Sequence, residues 1–283
     1  MIDCGPTLYE LAFVILSSPA FILLLTLLIA FPTLFPILLT FAITYLFWGL
    51  DIVLSCLGLY EHPAYNIGLV FYIIAACAPA IAVFTLWQKE SGRRGLHYFL
   101  KTVFGFHNPV IEPALMVVFL LIRFGIPFLF SDVRITGSWW QVVLFIPVMF
   151  LFGGFEEVGW RGYLQPVLEK KYGFIITTLI NWAIWTVWHI PLCFIKGTYQ
   201  YSGSYLWFAI SLLGSAFSLA ALHSIKGSIM PCILFHAIGN AVVSYGLSIS
   251  DGTGALISYG VQIIFAILVS YFCKRTSNEP LPE

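Results

Sequence analysis

The run WWQVVLFIPVMFLFGGFEEVGWRGYLQP, residues 139–166, combines two features that rarely share one segment. Its first part is apolar enough and long enough to cross a bilayer, which takes about 20 residues of helix. Its second part places Glu156, Glu157 and Arg161 in the same run. Ionisable groups at bilayer depth are costly unless paired or hydrated, so they mark function by default. The stretch therefore predicts a membrane-spanning helix whose charges face the protein interior.

The rest of the chain agrees with a membrane setting. Of 283 residues, 60% are hydrophobic and only 9% charged. Mean hydropathy is +0.95. A soluble domain is nearer a quarter charged, so the excess apolar surface is expected to face lipid. Formal net charge is zero, which argues against a nucleic-acid partner. The 26 Phe, 14 Tyr and 9 Trp suit aromatic belts at both membrane interfaces. The six cysteines form no C-x-x-C pair and read as small buried hydrophobes.

Apolar runs near 11–31, 34–58, 66–88, 112–130, 139–160, 174–195, 205–223, 228–249 and 254–273 predict an all-α polytopic bundle of about 8–9 spanning helices. The N-terminal run is too long for a signal-peptide core and reads as a retained membrane helix. With the N-terminus outside, Lys89, Arg93, Arg94, Lys101, Lys170, Lys171, Lys226, Lys274 and Arg275 collect on the cytoplasmic side. Only Arg134 and Lys196 fall outside, as the positive-inside rule expects of a multi-pass cell-membrane protein with a cytoplasmic C-terminus. Three parts follow: 1–110, N-terminal helices and a cytoplasmic loop; 111–275, a catalytic core with its motifs in 150–245; and 276–283, a disordered tail.

The ionisable groups concentrate in three clusters. In GGFEEVGWRGYLQP, Glu157 and Arg161 are i, i+4 neighbours able to pair, whereas Glu156 points about 100° away and is free for chemistry. Gly153, Gly154, Gly159 and Gly162 would let other helices approach closely. The second cluster, NWAIWTVWHIP, supplies His189 among Trp182, Trp185 and Trp188, which read as packing or interface anchors. The third, GSIMPCILFHAIGN, sets His236 and Asn240 on one helix face. Depth links them. His189 lies about 22 Å along its helix, and Glu156 reaches about 20 Å only if its helix continues through Pro166 to Lys170. A long or kinked helix is expected there. Among lesser charges, Asp51 and Arg123 read as an interhelical ion pair, and Glu112 and His223 as interfacial.

A carboxylate and a histidine converging on one water make a general-base pair, so Glu156 would deprotonate water with His189 orienting it. His236 and Asn240 would donate hydrogen bonds to the oxyanion of an attacked amide. Glu156, His189 and His236 would also suit a divalent metal such as zinc, with an open water position. The residues leave a metal and no metal both open, and no H-E-x-x-H helix is present.

The ordered set E156-E157-x-x-x-R161, W185-x-x-x-H189 with Pro191, and H236-x-x-x-N240 resembles the CPBP family, the CAAX prenyl endopeptidases and their bacteriocin-processing and Abi-like self-immunity relatives. The family usually has Phe where Trp185 stands. The resemblance implies a site open to the cytoplasm and catalysis by glutamate-activated water. Glu156 would be the base, His189 its partner, His236 and Asn240 the oxyanion hole, and Glu157 and Arg161 supports. The implied partner is a peptide or protein substrate, prenylated or membrane-anchored, met in the lipid bilayer. Two other functions compete. A transporter would line a path with the same groups, but the paired halves common in transporters are missing from the sequence. A non-catalytic immunity or scaffold protein would not need the intact motifs.

Overall fold

The computed structural model describes residues 34–59 and 67–277. The apolar run at 11–31 and the end of the tail lie outside the described residues. Backbone groups in lipid have no water to bond, so apolar runs of this length resolve into helices. They are α1 (Phe35–Cys56), α2 (Ile67–Ala76), α3 (Ala78–Ser91), α4 (Gly95–Phe104) and α5 (Ile111–Gly125). They continue with α6 (Trp139–Gly154), α7 (Glu156–Glu169), α8 (Phe174–Trp188), α9 (Tyr205–Lys226), α10 (Met230–Tyr245) and α11 (Thr253–Ser277). Every other spanning run read from the sequence has its counterpart. Two spans are broken: α2 and α3 meet at 57°, and α6 and α7 at 43°. The expected kinked helix through Pro166 is the second of these. α10, at 16 residues, is shorter than the usual span.

The bundle has two ends. At one, Ser228 Oγ lies 2.9 Å from His107 Nδ1 and donates to Glu112 Oε1 at 2.8 Å. Lys170 and Lys171, just after α7, and Lys226, the last residue of α9, lie at this end. At the other end, β1 (Val133–Ile135) pairs antiparallel with β2 (Leu247–Ile249). Arg134 belongs to this two-stranded ribbon.

Helix ends follow local chemistry. Ser138 and Gln141 form a reciprocal cap at the start of α6. Gly227, at φ 76°, closes α9 in the left-handed conformation that favours glycine. Leu121, Leu144, Ile176 and Ile264 stand exposed on helix faces, as lipid-facing side chains do. The core is instead aromatic: Trp48, Trp160, Trp185 and Trp188 are almost wholly buried. Trp188 donates to Thr44 Oγ1 at 2.8 Å, and Thr44 in turn to Ala75 O at 3.0 Å. This chain ties α1 and α2 to the helix that carries His189.

Two expectations about lesser charges are corrected. Glu112 is fully buried rather than interfacial, held by Ser228, and His223 is buried as well. Arg123 does not pair with Asp51: it donates to Ser215 Oγ, and among the described residues it belongs to no ion pair.

Candidate active site

The break between α6 and α7 builds the site. Phe150–Gly154 winds as a π-turn, with the Phe155 amide donating to Phe150 O at 2.8 Å. Such turns cluster at functional positions. Gly153 adopts φ 154°, a conformation open to glycine and strained for other residues. A Cβ at Gly153 would lie 2.8 Å from His236 Nε2 and would also collide with Asn240 Nδ2. The absent side chain is what lets α10 close onto the break, where Asn240 Nδ2 donates to Phe152 O at 3.1 Å. The other glycines act in the same way. Cβ atoms at Gly159 and Gly162 would press on Pro79 and Ile229.

After the break, Glu156 and Glu157 diverge as neighbouring helical residues must. Both are buried. Arg161 Nη1 donates to Glu157 Oε2 at 2.8 Å, and His236 Nδ1 stands 2.7 Å from Oε1. The carboxylate only accepts, so the His236 proton sits on Nδ1 and Nε2 faces Gly153. Glu157 thus bonds to the arginine of its own motif and the histidine of the third motif. Glu156 points the other way, and its Oε2 accepts from Trp185 Nε1 at 2.7 Å.

Trp185 is the hub. It precedes His189 by one turn of α8, which puts both on one face. Arg161 Cζ lies 4.8 Å from its ring centroid, the His236 ring 5.4 Å and the His189 ring 5.6 Å. Its carbonyl is 2.8 Å from His189 Nδ1. A carbonyl only accepts, so Nδ1 is the donor and the neutral ring keeps its lone pair on Nε2. The ring is wedged between Trp188 and Phe208, with centroids at 4.7 Å and 5.0 Å.

Glu156, His189, His236 and Asn240 line one cavity of about 670 Å³. Glu157 and Arg161 stand behind that wall. The cavity also reaches Tyr199, Gln200, Ser248 and Asp251, at the end that carries the ribbon. The resemblance implies a cytoplasmic opening, whereas the positive-inside rule leads to the expectation that this end lies outside. The two expectations therefore pull apart over one mouth.

His189 and His236 each bond through Nδ1 and keep Nε2 free, as metal-ligating imidazoles do. Even so, among the described residues no group of three His, Cys, Asp or Glu side chains is arranged to hold a metal ion. As they stand, the described side chains do not fit a zinc site.

All six site residues singled out in the sequence meet here. Two more do as well. Trp185 was read as a packing anchor, yet its indole N–H holds the Glu156 carboxylate. The available signal was its spacing of four from His189. Arg123 also lines the cavity, and its interior position in an apolar run was the only hint.

One comparison with known proteins falls on the same part of the chain and another on most of its length. Residues 138–242 match the family model described as type II CAAX prenyl endopeptidase Rce1-like. The chain is also 27% identical over 262 residues to CAAX prenyl protease 2 of Methanococcus maripaludis, covering 86% of this chain and 94% of that relative. The resemblance read from the three motifs is thereby borne out: through its motif-bearing core the chain is similar to the CAAX prenyl endopeptidases.

Proposed function

We propose that this protein is an intramembrane endopeptidase that hydrolyses a peptide bond with water activated by Glu156. The observation that carries the reading is the single cavity onto which Glu156, His189, His236 and Asn240 all open. Water donates one O–H to Glu156 and the other to His189 Nε2, which aims its oxygen at the substrate carbonyl. Attack forms the C–O bond as Glu156 takes the proton. The oxyanion then accepts from Asn240 Nδ2 and His236 Nε2–H. For His236 to donate there its ring must carry both protons, and the Glu157 carboxylate on Nδ1 stabilises that imidazolium. Collapse of the intermediate breaks the C–N bond, and Glu156 returns the proton to the leaving amine.

The substrate in this proposal is a protein ending in Cys-a-a-X with a prenyl chain on the cysteine. The name of the Methanococcus relative and the apolar walls formed by Phe124, Phe152, Trp207 and Phe208 support it. The protein would sit in the cell membrane.

The test is cleavage of prenylated and unprenylated peptides by the purified protein in detergent, with Glu156→Gln alongside. Activity abolished in a folded Glu156→Gln protein is expected, and normal turnover by that variant would sink the mechanism. A chelator arm with zinc restored afterwards tests the alternative in which Glu156, His189 and His236 hold a metal.

A further inference from the structure

Arg123 is the only arginine or lysine among the described residues lining the catalytic cavity. It is the thirteenth residue of α5, about 18 Å from the start of that helix by helical rise. A charge so deep in an apolar span is held for a purpose. Among the described residues its guanidinium has one hydroxyl acceptor, Ser215 Oγ, and lies 5.5 Å from the Phe124 ring and 5.9 Å from the Phe235 ring. A guanidinium has five N–H donors in a planar fork that matches a carboxylate. No carboxylate among the described residues meets it. Ser211, Ser215 and Tyr259 line the same wall, with the two serine hydroxyls donating to Phe208 O and Ser211 O.

Its place relative to the chemistry is set by α10. Phe235 and Gly239 face Arg123, and a Cβ on Gly239 would come within 3.9 Å of Nε. His236 and Asn240 are the next residues along, about 100° round the same helix. Two or three extended residues span about 7 to 10 Å. A chain whose scissile carbonyl rests at the His236–Asn240 pair can therefore end at Arg123. Among the described residues the acids on the cavity wall are Glu156 and, exposed at the rim, Asp251, and both repel an anion elsewhere in the cavity.

We propose that Arg123 binds the free α-carboxylate at the C-terminus of the substrate, so that the enzyme measures its cut from the chain end. The proposal rests on the peptidase reading and goes beyond it by assigning the group that selects C-terminal segments.

The experiment uses two farnesylated peptides, identical except that one ends in a carboxylate and the other in a carboxamide. Cleavage is followed with the wild-type protein, Arg123→Gln and Arg123→Lys, and binding of both peptides is followed by fluorescence anisotropy on Glu156→Gln. Wild type is expected to favour the acid about 10- to 100-fold, chiefly in KM. That preference is expected to vanish in Arg123→Gln and return in part in Arg123→Lys. Equal handling of acid and amide by wild type overturns the proposal with the peptidase reading intact, as does an acid preference that survives Arg123→Gln. If neither peptide is cut, the peptidase reading fails for this substrate and the binding ratio decides. A tenfold acid preference in binding by Glu156→Gln that is lost when Arg123→Gln is added supports Arg123 as the reader, and equal binding, none, or a preference that survives Arg123→Gln overturns it.

Discussion

Replacing Gly153 by alanine puts one methyl group where the site closes. Two costs follow from the geometry. The backbone at φ 154° is a conformation that L residues rarely adopt, which costs about 1–3 kcal/mol. The new Cβ would also stand 2.8 Å from His236 Nε2, where ordinary contact begins near 3.4 Å, so the ring must retreat by several tenths of an ångström. Asn240 is pressed in the same way and its bond to Phe152 O is strained. Both proposed oxyanion donors move, and loss of one such donor is worth roughly 100- to 1,000-fold in kcat. The assay is kcat on a cleavable peptide together with thermal unfolding in detergent. Gly125→Ala is the control, since a Cβ there meets nothing within 4 Å. A folded Gly153→Ala protein with wild-type kcat would refute the assignment of His236 and Asn240.

Other substitutions probe separate links. Trp185→Phe keeps the ring under Arg161 but removes the indole N–H on a buried carboxylate, worth about 1.5–3 kcal/mol. We expect a roughly 10- to 100-fold fall in kcat, together with a loss of stability of about 1.5–3 kcal/mol; unchanged turnover would return Trp185 to a packing role. Arg161→Gln strips one partner from a buried ion pair and should destabilise the protein by about 3–5 kcal/mol. Combining it with Glu157→Gln should restore part of that, and purely additive losses in unfolding measurements would deny the coupling. Gly159→Ala drives a Cβ into Pro79 backbone atoms at about 3.0 Å and should lower thermal stability by about 1–3 kcal/mol. A variant as stable as wild type would show that α3 can move aside.

What could be read along the chain was what depends on near neighbours. Apolar runs predicted the spanning helices because a backbone in lipid has to satisfy itself locally. Spacings of four placed Glu157 beside Arg161 and His236 beside Asn240, since a helix fixes those faces. The need for Glu156 to reach the depth of His189 even required α7 to continue through Pro166. Composition and motif order were enough to point to a membrane peptidase of the CAAX type. Tertiary packing decided the rest. Glu157 meets His236 across 79 residues, and Trp185 meets Glu156 across 29. Those partners follow from how α7, α8 and α10 cross at the Gly153 break, and side-chain spacing within one helix carries no record of a crossing. The same holds for Arg123. Read alone, a charge in an apolar run asks for a counter-charge, and Asp51 was available. Only the packed bundle shows its guanidinium on the cavity wall with Ser215, one helix face away from the residues that would hold the scissile bond.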